Sequence, residues 1–216
     1  GIQPKQISMP DFLREKIPLV NIGRVPRRYN HDLYEPRYDH PEFQKAFREL
    51  NELLAAEFDG HPLLEFADIM QYGFWGEGHT SDLPGPIPDY LTAEKVFTGM
   101  TRLQLDAWKR TQLAVNTQPD ISKTGNREVI DMAVRAGCWL RSDSVIVDEP
   151  EQIEALSNRP AWLAVIMEDG GKRRYSLDPK EIELVAAGVS RLENVMLHVL
   201  DLGGNYWSLW TEADSI

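Results

Sequence analysis

Apolar residues recur at three- and four-residue intervals from residue 41 onward, which is the spacing of one face of an α-helix. The stripe consists of Phe43, Phe47, Leu50, Leu54 and Phe58. Pro41 suits the first helical position, because its missing N–H would have no helical partner there, and Asp59-Gly60 provides a stop. The pattern therefore predicts a helix from residue 41 to residue 58.

Further along the chain, short apolar runs alternate with helical patterns. The runs predict strands near residues 64–72, 112–116, 138–141, 161–167 and 205–210. The helical patterns cover 93–109 (with Thr92 as its N-cap), 127–136, 150–157 and 178–201. Continuous apolar runs are typical of strands buried on both faces, so the alternation predicts an α/β fold with a parallel sheet covered by helices. Residues 1–40 are predicted to be an irregular N-terminal segment, and residues 41–216 a single domain.

Charge and hydropathy narrow the ligand class. The 216 residues have a net charge of −11 and a pI near 4.9, which argues against binding a nucleic acid and suits a neutral polymer or a neutral or cationic small ligand. No apolar run reaches the roughly 18–20 residues of a membrane span, so no membrane partner is expected. No signal-peptide pattern is visible, and secreted, periplasmic and cytoplasmic locations all stay open.

The sequence predicts neither a metal site nor a cofactor. The single cysteine, Cys138, excludes an internal disulfide and a thiolate-rich zinc site, and its apolar surroundings predict a buried, inert thiol. The five histidines are scattered, and no phosphate-binding or dinucleotide-binding glycine motif is present.

The stretch Q71-Y72-G73-F74-W75-G76-E77-G78-H79 follows the first predicted strand. Its three glycines indicate unusual backbone angles or a close backbone approach, because glycine contributes no side-chain burial. A turn by itself does not require the indole of Trp75, the carboxylate of Glu77 and the imidazole of His79. We interpret the turn as a candidate functional site, in which His79 is either a substrate contact or a structural hydrogen-bonding group.

Polar or aromatic side chains follow every predicted strand. Because the carboxyl ends of parallel strands meet at one edge of a sheet, we expect these side chains to converge. The candidates are Trp75, Glu77, His79, Asn116, Arg141, Asp143, Glu168, Trp210 and Glu212. Structural alternatives stay open: Arg141 can pair with Asp143 or with Glu168, and Asn116 can satisfy turn backbone.

Two of these candidates, Glu77 and Glu168, end separate strands. A pair of carboxyls suits glycoside chemistry, because one protonates the leaving oxygen while the other attacks the sugar or activates water. Indole faces also stack on the C–H surfaces of sugars. The combination predicts a saccharide as the ligand.

The segment F66-A67-D68-I69-M70-Q71-Y72-G73-F74-W75-G76-E77-G78-H79-T80 resembles a strand followed by G-x-W-G-E-x-H in glycosidase-like (β/α)₈ barrels. These barrels are related to the clan A glycoside hydrolases, which include β-galactosidase-like proteins. The segments P36-R37-Y38-D39-H40-P41-E42-F43, L113-A114-V115-N116 and W139-L140-R141-S142-D143-S144 fit the same relatives. The resemblance covers roughly residues 25–212.

The resemblance implies a TIM-barrel-type parallel sheet that hydrolyses a glycosidic bond with retention. By position, Glu77 at the end of strand 4 is the acid/base, and Glu168 at the end of strand 7 is the nucleophile. Trp210 corresponds to the tryptophan that commonly ends strand 8 beneath the sugar. The remaining substrate contacts would be Trp75, His79, Asn116, Arg141, Asp143 and Glu212.

Two departures from the family pattern keep alternatives open. Gly76 precedes Glu77, where clan A enzymes usually have asparagine, and this favours a carbohydrate-binding barrel without turnover. Only strands resembling 4 to 8 are present, so we expect a partial barrel that a second polypeptide or a missing segment completes, or one in which residues 1–40 and oligomer contacts replace the early strands. A scaffold protein that docks a partner through its open sheet edge is the third interpretation.

Overall fold

A computed structural model describes the chain at residues 9–24, 31–80, 83–117, 126–145, 147, 149–169, 188 and 191–209. The chain divides into two compact units, Gly1–Cys138 and Trp139–Ile216. The elements of the first unit are α1 (Asp11–Arg14), β1 (Leu19–Gly23), β2 (Leu33–Pro36), α2 (Pro41–Phe58), β3 (Phe66–Asp68), α3 (Tyr90–Ala107), β4 (Gln112–Asn116) and α4 (Asn126–Arg135). Those of the second are β5 (Trp139–Ser142), α5 (Pro150–Ser157), β6 (Val165–Asp169), α6 (Arg191–Asp201) and β7 (Tyr206–Leu209).

The strands that alternate with helices are parallel within each unit. In the first unit β3 pairs with β4, with Phe66 opposite Gln112 and Asp68 opposite Ala114. In the second unit β6 pairs in parallel with both β5 and β7. The predicted α/β class and parallel pairing are therefore confirmed. Before Pro41, where the sequence indicated irregular structure, β1 and β2 form an antiparallel pair.

Helix α2 begins and ends where the apolar stripe predicts. Pro41 occupies the first turn, and the ring of His40 accepts a hydrogen bond from the backbone N–H of Glu42, which caps the helix. The inward face of α2 buries Phe47 and Ala55. Spacing and caps together thus set both ends of this helix.

The carboxylate of Asp59 joins the end of α2 to the turn between α3 and β4. It accepts hydrogen bonds from the backbone N–H groups of Lys109, Arg110 and Thr111, at 2.8–2.9 Å. Burial disfavours the charge of Asp59, but these three N–H groups outweigh that effect and lower its pKa to about 2. A buried, ionised carboxylate therefore fixes the turn that leads into β4.

Strand β3 is shorter than the predicted 64–72. Beyond it, the side-chain amide of Gln104 in α3 binds both backbone groups of Met70. The N–H of Met70 donates to Oε1 at 2.7 Å, and its carbonyl accepts from Nε2 at 2.9 Å. These bonds use backbone groups that a longer strand would offer to a neighbouring strand, so the strand ends early.

Helix α3 begins before the predicted residue 93, and its N-cap is Asp89 rather than Thr92. The Asp89 carboxylate accepts the N–H groups of Leu91 and Thr92, which have no partner within the helix. The Thr92 hydroxyl also donates to Asp89. The predicted cap residue thus lies inside the first turn.

In the second unit, strand β6 lies a few residues further along the chain than predicted. Its Val165, Ile166 and Met167 are buried, as the apolar run indicated. The helix predicted over 178–201 is described from Arg191, and residues 178–187 lie outside the described residues.

The structure also bears on the predicted state of the single cysteine and on the expected lack of a membrane-spanning helix. Cys138 is buried, as predicted, and burial raises the pKa of its thiol to about 11, so the thiol stays protonated at neutral pH. Within the described ranges, no helix is both long and apolar enough to cross a bilayer.

Candidate functional site

The 71–79 turn follows the carboxyl end of β3 and closes on itself. Three backbone hydrogen bonds of 2.8–2.9 Å hold it: Gln71 N–H to Gly76 C=O, Gly78 N–H to Tyr72 C=O, and Phe74 N–H to His79 C=O. Gly73 has a φ of +81°, and a Cβ at this position would lie 2.1 Å from the carbonyl oxygen of His79. Only glycine fits there, because any side chain would collide with the backbone that closes the turn.

Trp75 adopts a backbone conformation that a bulky residue rarely takes. Its φ is +54°, and it is the one non-glycine residue with a positive φ in the described part of the chain. Such a conformation costs roughly 1–3 kcal/mol and persists where the surrounding structure enforces it, commonly at ligand sites. The indole is 43% exposed, so the turn presents a large aromatic face to solvent.

Glu77 and His79 face each other within the same turn. Oε2 of Glu77 lies 3.5 Å from Nε2 of His79, and both side chains are largely buried. The His79 ring also packs beside the rings of Phe74 and Trp75, with centroids 5.8 and 5.7 Å away. The structure therefore brings three predicted site residues, Trp75, Glu77 and His79, into one cluster.

Two buried side-chain amides lie near the carboxyl ends of β3 and β4. Asn116 ends β4 and is 3% exposed, and Gln71 opens the 71–79 turn and is 9% exposed. Among the described residues, neither the oxygen nor the nitrogen of either amide has a hydrogen-bond partner. Buried polar atoms are rarely left unpaired, so these amides are suited to a ligand or to bound water. Asn116 was predicted as a site residue, and Gln71 was missed.

In the second unit, the described site residues centre on Arg141 of β5 and Glu168 of β6. Nε of Arg141 donates to Oε1 of Glu168 at 2.7 Å, and the Nη2 group of Arg141 binds the same oxygen. This is the Arg141–Glu168 pairing that the sequence left open as a structural alternative. Both side chains are largely buried, so the pair is shielded from solvent.

Three other predicted residues belong to the second unit. Asp143 directly follows β5 and is half-buried. Trp210 and Glu212 lie outside the described residues, so their roles stay predictions. The two predicted catalytic glutamates thus belong to different units: Glu77 to the first and Glu168 to the second.

The structure reveals a further carboxyl that sequence reasoning missed, that of Glu35 in β2. Glu35 is fully buried, and its Oε2 accepts a hydrogen bond from the hydroxyl of Tyr38 at 2.6 Å. Burial raises the pKa of Glu35 to about 7, although the hydrogen bond from Tyr38 opposes the shift. Tyr38 in turn accepts the backbone N–H of Gly73 at 3.0 Å, so this carboxyl is linked to the 71–79 turn.

A sequence signal for Glu35 exists, but it is short. In β2, Leu33 and Glu35 are buried, whereas Tyr34 between them is exposed. This is the alternation of a strand with one face in the core. The alternation spans only four residues, which is too short to distinguish a strand from the irregular structure predicted for residues 1–40.

No protein-family model, curated protein or solved structure matches the chain. The relationship to the clan A glycoside hydrolases therefore stays a prediction that rests on the residues themselves.

Proposed function

We propose that this chain is a glycoside hydrolase-like protein that binds a neutral glycan and hydrolyses a glycosidic bond with retention. The observation that supports this most is Trp75. A costly backbone conformation exposes its indole beside Glu77 and His79. An exposed indole next to a carboxyl is suited to a sugar ring, because the ring stacks its C–H surface while the carboxyl reaches an oxygen.

In this proposal Glu77 is the acid/base. It protonates the glycosidic oxygen as the bond to the leaving group breaks, and then takes a proton from the water that attacks the intermediate. His79, 3.5 Å away, limits the orientations that the carboxyl can adopt. Because Trp75 and Glu77 belong to one tight turn, a sugar stacked on Trp75 would keep a constant distance and orientation to the carboxyl of Glu77.

Glu168 is the proposed nucleophile, which forms the covalent glycosyl-enzyme intermediate. Two hydrogen bonds from Arg141 go to Oε1 of Glu168, and in this proposal Oε2 approaches the anomeric carbon. Because the guanidinium binds one carboxylate oxygen, the other oxygen is held in one position. This favours a geometry close to that in which it attacks the anomeric carbon. Asn116, Asp143, Trp210 and Glu212 are proposed as further sugar contacts.

The fold proposed for this chemistry is the later part of a (β/α)₈ barrel, with β3 to β7 as barrel strands 4 to 8. A second polypeptide or a further segment would supply the other strands. The parallel pairing in both units supports this reading, since all strands of such a barrel are parallel. The saccharide is the only small-molecule partner proposed, with no cofactor.

A carbohydrate-binding barrel without turnover is the second candidate. Gly76 occupies the position before Glu77 where clan A enzymes usually have asparagine. Such a protein would keep the exposed Trp75 and the unpaired amides of Gln71 and Asn116 while lacking hydrolysis.

The test is hydrolysis of a panel of aryl glycosides by the wild type, Glu77→Gln and Glu168→Ala, with and without azide. Azide should rescue Glu168→Ala and yield a glycosyl azide of inverted configuration, because the small anion attacks where the nucleophile has been removed. Glu52→Gln, on the exposed face of α2, is the matched control and should keep wild-type rates. A folded wild type that is inert on the panel but binds a glycan array would exclude the hydrolase and leave the binding protein.

A further inference from the structure

The 71–79 turn rests on the β1–β2 pair through two anchors. The first is apolar: the fully buried ring of Phe74 packs in one cluster with Ile22 of β1 and Leu33 of β2. The second is polar: the N–H of Gly73 donates to the Tyr38 hydroxyl, and that hydroxyl donates to Oε2 of Glu35. The apolar anchor does not respond to pH, but the polar anchor ends in a titratable group.

The direction of the hydrogen bonds sets the role of Glu35. Because Tyr38 already accepts the N–H of Gly73, its own hydrogen is free to point at the carboxyl, which must accept it. The other oxygen, Oε1, is buried and has no partner among the described residues. A neutral carboxyl tolerates such a position, whereas a carboxylate would keep a charged oxygen buried without a donor of its own.

The groups that face Glu35 come from three parts of the first unit. Tyr38 follows it in its own segment, Val20 lies opposite it in β1, and the 71–79 turn contributes His79 and the N–H of Gly73. Burial raises the pKa of Glu35 to about 7, and Tyr38, the Gly73 N–H and His79 each oppose the shift without cancelling it. Burial, together with Glu35, also raises the pKa of Tyr38, so the phenol stays protonated and remains a donor.

We propose that Glu35 is the positioning residue of the 71–79 turn and that the turn is fully ordered only while this carboxyl holds its proton. Loss of the proton leaves a buried anion, and the cost is relieved when the turn lifts and water reaches the carboxylate. Trp75, Glu77 and His79 lie on this turn, so their arrangement becomes dependent on pH. The consequence for catalysis rests on the proposed glycoside chemistry, but the ordering of the turn does not.

The test is amide hydrogen exchange of the turn at pH 6 and pH 8, expressed as protection factors so that the intrinsic pH dependence of exchange is removed. If Glu35 titrates normally once the turn is open, protection should fall roughly tenfold between these values. Glu35→Gln, which keeps the shape and is always neutral, should show no such fall. Tyr38→Phe, which breaks the link, should lower protection at both pH values.

Two controls are built into the experiment. The amides of β4 should stay better protected than those of the turn at both pH values, which separates local opening from global unfolding. Glu52→Gln should retain the wild-type fall. Unchanged protection in the wild type would overturn the proposal without recourse to any variant. A fall that persists in Glu35→Gln would also overturn it and would assign the pH dependence to another group.

Activity provides a separate readout. If aryl glycosides are hydrolysed, kcat/KM of the wild type should decrease as the pH rises through about 7, and Glu35→Gln should show a smaller alkaline decrease. A protein that fails to hydrolyse any glycoside but shows the exchange result would contradict the proposed function and leave the role of Glu35 intact.

Discussion

Two buried carboxyls in the first unit, Asp59 and Glu35, have opposite environments. Asp59 accepts three backbone N–H groups, which outweigh the cost of burial and lower its pKa to about 2. Glu35 accepts a hydrogen bond from the Tyr38 phenol, but its Oε1 has no partner among the described residues, and burial raises its pKa to about 7. The difference teaches that the number of donors, rather than burial alone, decides whether an interior carboxyl is charged.

The two carboxyls also contact turns at opposite ends of the parallel strands. Asp59 fixes the turn that leads into the amino end of β4, and Glu35 is linked to the turn that follows the carboxyl end of β3. In parallel α/β folds the first of these ends serves stability and the second carries ligands. The carboxylate of Asp59 therefore has its hydrogen-bond donors and serves structure. The carboxyl of Glu35 has an oxygen without a described donor and is linked to the candidate site.

The largest expected effect is that of removing Asp59. Asp59→Ala leaves three N–H groups without their acceptor, and we expect the free energy of unfolding to fall by about 4 kcal/mol. Urea denaturation of the mutant measures it. Asp106→Ala removes an exposed carboxylate that pairs with Lys109 and should cost less than about 0.5 kcal/mol. Equal losses in the two variants would contradict the structural role of Asp59.

The next largest loss of stability is expected from replacing Gly73, in the 71–79 turn, and the comparison is Gly60, next to Asp59. Gly73 and Gly60 have φ values of +81° and +77°, so alanine is strained at both. A Cβ at Gly73 meets the backbone oxygen of His79 at 2.1 Å, whereas one at Gly60 meets the guanidinium of Arg110, which can move away. We expect Gly73→Ala to cost about 3 kcal/mol and Gly60→Ala about 1 kcal/mol, measured by urea denaturation.

For that pair, a smaller loss at Gly73 than at Gly60 would show that the 71–79 turn rearranges freely. The closed geometry of the turn would then not be required for stability.

The free energy of unfolding should depend on pH, and the contributions of Glu35 and Asp59 should be lost in opposite directions of pH. The folded pKa of Glu35 lies above its ordinary value of 4.5, so its contribution is complete below that pH and is lost as the pH rises through about 7. From this group alone we expect a loss of about 2.5 kcal/mol between pH 5 and pH 8. Asp59, with its lowered pKa, contributes instead above pH 3.8 and loses that contribution as the pH falls through about 2.

The measurement is the free energy of unfolding of wild type and Glu35→Gln across this range. The difference between the two should change with pH between 5 and 8, and the profile of Glu35→Gln should lack that component. A constant difference would mean that Glu35 is ionised in both states.

The smallest effect concerns Trp75. In Trp75→Gly the relief of the positive φ offsets the loss of a half-exposed indole, so we expect the free energy of unfolding to stay within about 1 kcal/mol of the wild type. Thermal denaturation followed by circular dichroism checks this. A loss of several kcal/mol would mean that the indole serves packing rather than a ligand.

The fold class could be predicted from the sequence, because the helical spacing of apolar residues in α2 and the continuous apolar runs of the strands are local patterns. The sequence did not allow the end of β3 to be predicted, because Gln104 lies 34 residues from Met70 along the chain and only tertiary structure brings the amide there. Nor did it distinguish Asp89 from Thr92 as the cap of α3, since both residue types cap helices.

The candidate site was predictable where the signal was local. The crowding of glycine, Trp75, Glu77 and His79 marked the 71–79 turn, but the conformation of Trp75 could not be read from composition. Glu35 was missed because its burial depends on a four-residue strand. The pairing of Arg141 with Glu168 was one of two open alternatives, and the alignment of β5 with β6 selected it.

The most direct test of the central claim is binding of wild type, Trp75→Ala and Trp162→Ala to an array of neutral and acidic glycans. Trp162 is 72% exposed and is not one of the predicted site residues, so it is a matched control for loss of a surface indole. We predict that the wild type binds neutral glycans, that Trp75→Ala weakens binding roughly tenfold, and that Trp162→Ala leaves it unchanged. Glycan binding that Trp75→Ala leaves as tight as in the wild type, or no glycan binding by the folded wild type, would contradict the assignment of this turn as a sugar site.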